Sequence, residues 1–156
     1  MSSAADVDLV KTLHDLAQRA DTSYVIVAGT ALENLLEHAL LASMRYLSNA
    51  QYERIFRHYG PLSSFAAKID LAHALKIIQD DLVNDFHAIR SIRNAFAHAR
   101  KAVHMDSDEL KPHFQRLTGF VSTSNRRDLF DARLQKCTDS LASHVDATIF
   151  IEALTG

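Results

Sequence analysis

The run Ile92-Arg93-Asn94-Ala95-Phe96-Ala97-His98 sets an arginine, an asparagine and a histidine inside a segment whose apolar spacing predicts a helix. Polar groups placed there cost free energy unless a partner or a ligand satisfies them. A guanidinium can grip a phosphate through its planar fork, and an imidazole can move protons. Those are the parts needed to cleave RNA without a metal: the 2′-hydroxyl loses a proton, attacks the adjacent phosphorus and leaves a cyclic phosphate. The same residues also have an architectural use. Arg93 can reach a carboxylate on a facing helix, with Glu33 and Glu37, one turn apart, as the available partners, while Asn94 and His98 bond backbone or loop carbonyls. Both uses stay open on the residues alone.

At about 100° per residue, Leu82, Phe86, Ile89, Arg93 and Phe96 share one stripe of this helix. His87, Arg90, Asn94, His98 and Lys101 follow a neighbouring polar stripe, which adds Arg90 and Lys101 as candidate binding residues. Arg93 should therefore face a packed surface, with Asn94 and His98 on its flank.

The elements that position this helix read as helices too. Apolar spacing predicts helices at about 6–20, 23–46, 63–78, 80–103 and 128–154, the first two separated at Asp21-Thr22-Ser23 by a cap or slight break. Ser48 with Gln51 matches a capping box, and Gly60-Pro61 should stop the short helix that it opens. Ser63 or Ser64 can cap the next helix, and Asp80 or Asp81 suits the positive end of the one after. Asp106 with Glu109 matches a second capping box, with Pro112 in a first turn or ending the segment. Residues 118–127 read as a loop. Thr148-Ile149-Phe150-Ile151 has strand propensity, but its place in a periodic run favours helix.

Composition agrees with long helices. Only 4 glycines and 2 prolines are present among 156 residues, too few for a sheet with many tight turns. A formal charge of −2 gives no electrostatic footprint for duplex DNA, and no helix-turn-helix with a basic recognition helix is visible. Cys137 is the single cysteine, so no intramolecular disulfide forms, and an inert thiol is the expected state. The first residues lack a signal-peptide pattern, and no uninterrupted apolar run approaches the ~20 residues of a membrane helix. A cytoplasmic protein without membrane contact is expected. The 9 histidines lack metal-ligand spacing, and there is no phosphate-binding glycine loop or nucleophile elbow, so no metal and no cofactor is expected. Arg126-Arg127 reads as an exposed basic pair at a loop–helix junction.

Arg93 to His98 matches the arginine-x4-histidine pattern of HEPN domains, small helical bundles that often dimerise. A longer resemblance is to the mannitol operon repressor family. Arg19 to Leu41 resembles that family's first long helix, with Ala28, Leu32, Glu33, Leu35, Leu36 and Glu37 in place. Gly60 to Leu75 resembles its central motif, and Ile89 to His98 its signature helix, so the likeness covers residues 19–100. The resemblance implies a single all-α, HEPN-like domain of six or seven helices over 1–156. It further implies a homodimer and a bacterial transcriptional regulator; the charge of −2 and the missing basic recognition helix then point to action by binding another protein rather than by reading duplex DNA. The alternative it carries is a metal-independent endoribonuclease acting on RNA, as in the toxin of a toxin–antitoxin pair. There Arg93 and His98 would be catalytic, Asn94 would orient groups, and Glu33 or Glu37 would hold Arg93.

Overall fold

The computed structural model describes residues 4–145, the side chains of 4–10 and of Gln18 excepted. Among the described residues six α-helices follow in the order α1 (Ala4–Ala42), α2 (Asn49–Phe56), α3 (Phe65–Ala74), α4 (Val83–Ala97), α5 (Lys111–Phe114) and α6 (Arg126–Leu141). Two short 3-10 turns accompany them, at Asp108–Leu110 and Ala142–His144. No strand occurs among the described residues, as the scarcity of turn formers requires.

The long α1 is the organising element. Val25, Leu32, Leu35, Leu36, Ala39 and Leu40 bury one face of it against α3, α4 and α6. From α4, Phe86, Ile89, Ile92 and Phe96 meet that face, with Ile69 of α3 and Phe130 and Leu141 of α6 closing the core. By length and hydropathy, Lys11–Ala42 would suffice to cross a membrane, but 44% of its most apolar window is buried inside the bundle.

Several predicted boundaries move, each for a local reason. Asp21-Thr22-Ser23 does not break the first helix. The Asp21 carboxylate accepts the Met105 backbone N–H at 3.0 Å, so it serves a distant loop instead of a cap. The third helix stops at Ala74, not near 78. Lys76 takes a left-handed φ of 61°, and the N–H groups of Ile77 and Ile78 both return to the Ala72 carbonyl, turning two isoleucines into the core. The signature helix runs only from Val83 to Ala97, because the chain turns at His98 to bury Val103 and Met105. Lys101 is therefore not on the helix that carries Asn94 and His98.

The start of that helix is also different. Neither Asp80 nor Asp81 caps it; Leu82 holds the cap position and Asp85 is the first-turn acid, while Asp80 meets His73 at 2.8 Å. The Asp106–Glu109 capping box does not form. Ser107 is the N-cap, and its hydroxyl accepts from His104 N–H instead. Pro112 does sit in the first turn of a short helix. Both other caps hold: Ser48 and Gln51 form a complete capping box, and Ser64 accepts from Ala67 N–H. The last long helix ends at Leu141, where the Ser140 hydroxyl bonds the Cys137 carbonyl; the 148–151 segment lies outside the described residues.

Candidate functional site

Arg93 leaves α4 toward α1 over the one buried glycine of that helix. A Cβ at Gly29 would lie 2.7 Å from Arg93 Cδ and 2.9 Å from Cγ, so the absence of a side chain there makes the groove for the arginine stem. The guanidinium lies 5.0 Å over the Phe65 ring and donates to Glu33 Oε2 at 2.6 Å. Its Nε and Nη2 lie 3.4 and 3.3 Å from Asn94 Oδ1. Arg93, Asn94 and Glu33 are thus brought together, and Glu33 is the glutamate that holds the arginine.

Glu37 has other partners. Lys68 of α3, only 3% exposed, places Nζ 2.9 Å from Glu33 Oε1 and 3.0 Å from Glu37 Oε2. Arg57 approaches the two Glu37 oxygens at 3.1 and 3.2 Å, and the Tyr52 hydroxyl donates to the same carboxylate. The charges alternate: Arg93, Glu33, Lys68, Glu37, Arg57. Each buried charge then has an opposite neighbour, which is the condition for tolerating it away from water. Burial pushes the Glu37 carboxyl up, but hydrogen bonds from Tyr52, Arg57 and Lys68 outweigh it and hold the group below the ordinary glutamate range. Burial, with the adjacent Glu37 charge, pushes the Tyr52 hydroxyl up to about 12.

His98 stands apart from this chain. It is exposed, caps α4, and lines a separate cavity of about 440 Å³ with Arg100, Lys101, Glu109 and His113. Arg90 is half-buried, and its Nε finds no hydrogen-bond partner among the described residues. The predicted polar rim therefore separates into a structural half, Arg93 and Asn94, and an open half, His98 and Lys101.

Three features were not singled out from the sequence. Lys68 lay inside a matched motif, but nothing local marks a lysine as buried; only its distance of four from Ser64, on the face carrying Phe65 and Ile69, hints at it. Asp85 is fully buried, accepting the Thr118 N–H at 2.8 Å and Arg133 Nη2 at 2.6 Å, a second ion pair tying α4 to α6. His113 counted only as one of many histidines, yet its Nδ1 sits 2.7 Å from Ser91 Oγ on α4. One reading is overturned. Arg126 and Arg127 are half-buried rather than a free exposed pair: Arg126 donates to the Met105 and Ser107 carbonyls, and Arg127 lies 3.5 Å over the Tyr24 ring. Burial, then the Asp85 charge, pushes the Cys137 thiol up, which keeps it inert.

Comparison of the chain with protein-family models, curated proteins and solved structures finds no match.

Two outcomes follow from the ion chain. Gly29→Ala should destabilise the fold by about 1–3 kcal/mol in denaturant unfolding, because the new methyl meets the Arg93 stem rather than a mobile tip. A neutral result would mean that Arg93 swings free without cost. A carboxyl held low in the folded state contributes stability that is present above its unfolded pKa and lost as pH falls through the folded value. Unfolding measured between neutral and acid pH should therefore show a shallower acid loss in Glu37→Gln than in the parent protein; identical slopes would contradict the pairing.

Proposed function

We propose that this chain is a transcriptional regulator of the kind the mannitol operon repressors represent, acting as a homodimer through protein contacts and not by reading DNA. One observation carries the protein-contact part of the reading: α1 keeps an apolar stripe that stays exposed among the described residues. Leu13 and Leu16 are 56% and 55% exposed and Val27 67%. Val27 continues the stripe into an apolar groove of about 430 Å³ between α1 and α6, floored by Ala28, Ala31, Leu32 and Leu134. A stripe on one helix is self-complementary under two-fold symmetry, so a second copy is the partner that it fits. The state of Arg93 supports the same reading. Its fork is engaged by Glu33 and Asn94, which leaves no free bidentate face for a phosphate.

A second reading, metal-independent cleavage of RNA, draws support from His98, which is exposed and free to meet a substrate. It requires Arg93 to leave Glu33, an exchange that leaves Lys68 as the one cation on that carboxylate among the described residues.

Sedimentation and RNA incubation separate the two. The regulator reading expects a dimer that Leu13→Lys with Leu16→Lys converts to a folded monomer, and RNA left intact in the presence of chelator. A wild-type monomer, or chelator-resistant cleavage abolished by His98→Ala with the fold retained, would overturn it.

A further inference from the structure

The cavity beyond the end of α4 collects cations that the rest of the chain does not neutralise. Arg57, Lys68, Arg93, Arg127 and Arg133 each meet a carboxylate; among the described residues other surface cations, such as Arg45, Arg54 and Lys136, do not. No carboxylate pairs with Arg100, Lys101 or His98 among the described residues, although the chain as a whole is acidic. These three and His113 line one concavity of about 440 Å³, which falls within the size range of small-molecule sites.

The second imidazole is held in place. Ser91 and Ala95 occupy successive turns of one face of α4, His98 follows at its C-cap, and Ser91 Oγ engages His113 Nδ1 at 2.7 Å. That contact fixes the ring from one side and leaves Nε2 as the nitrogen available to a ligand. Ala95, Ala99, Val103 and Leu110 supply an apolar floor. Among the described residues the one acid in the lining is Glu109.

Charge decides the class of ligand. The carbonyl end of α4 amounts to roughly half a negative charge, and Glu109 adds one. Arg100 and Lys101 together exceed that sum before either imidazole contributes. An anion with several acceptor oxygens matches a guanidinium, an ammonium and two ring nitrogens better than a carboxylate does. Glu109 can accept from a ligand hydroxyl.

We infer that this cavity is a binding site for the phosphate group of a small phosphomonoester, held by Arg100 and Lys101 with His98 and His113 as hydrogen-bonding partners. The site does not use Arg93 and does not depend on the protein-contact reading of α1.

The test uses the full chain, with phenyl phosphate and inorganic phosphate as probes at constant ionic strength. Phenyl phosphate should shift the imidazole NMR resonances of His98 and His113 in a saturable way. Arg100→Gln with Lys101→Gln, both at exposed positions, should weaken the affinity at least tenfold while the circular dichroism spectrum stays unchanged. Inorganic phosphate should bind at the same resonances and more weakly, since it leaves the apolar floor uncovered. Three results would overturn the proposal: resonances that do not move, an equal response to chloride, or affinity indifferent to the double substitution. A short uridine oligonucleotide that saturates the same resonances while phenyl phosphate does not would also overturn it, in favour of an RNA phosphodiester.

Discussion

Two carboxylates on the inner side of α1 govern how this bundle assembles. Glu33 and Glu37 point into the region where α1 meets α3, and an unpaired carboxylate there would cost several kcal/mol. Lys68 answers both at once from α3, Arg93 answers Glu33 from α4, and Arg57 answers Glu37 from the residue that follows α2. Four helices are thereby brought to one registry. Hydrophobic burial supplies the driving force, since Leu32, Leu36, Ile69 and Ile92 pack with any oil-like partner. The ion chain selects which rotation of each helix is allowed, because sliding one helix by a turn would part a lysine from two acids.

That constraint explains why the arginine–asparagine–histidine run divides. Arg93 and Asn94 lie within the helix and face α1, over a glycine that admits them. His98 comes after the last helical residue, where the chain turns away to bury Val103 and Met105. Arg100 and Lys101, in the segment after the turn, line the same concavity as His98, and α5 brings His113 across to Ser91. One short segment thus contributes an inward structural lock and an outward basic cavity.

Much of this was legible in the sequence, and what was not has identifiable causes. Helical class, the Ser48–Gln51 box, a serine cap at 63 or 64 and the inward orientation of Arg93 all follow from short-range spacing. The choice between Glu33 and Glu37 did not, because the two are one turn apart, both meet Lys68, and only the arginine that reaches each, Arg93 or Arg57, separates their roles. Helix ends were misplaced wherever a distant group intervened. Asp21 was read as a break because its partner, Met105 N–H, is 84 residues away. Lys76 adopts a left-handed turn that a glycine would have announced. Asp85 and Arg133 are 48 residues apart, and His113 and Ser91 are 22 apart, so neither pair leaves a local pattern.

A double-mutant cycle on Glu33→Gln and Lys68→Met, read by equilibrium denaturant unfolding, probes the lock itself. If the buried chain of charges sets the helix registry, each single change should be strongly destabilising. The double change should then recover about 1–3 kcal/mol relative to their sum, since neither Glu33 nor Lys68 is then left facing the loss of the other. Two effects that simply add, to within about 0.5 kcal/mol, would mean that the carboxylate and the ammonium do not depend on each other, and the account of how these helices find their packing would be wrong.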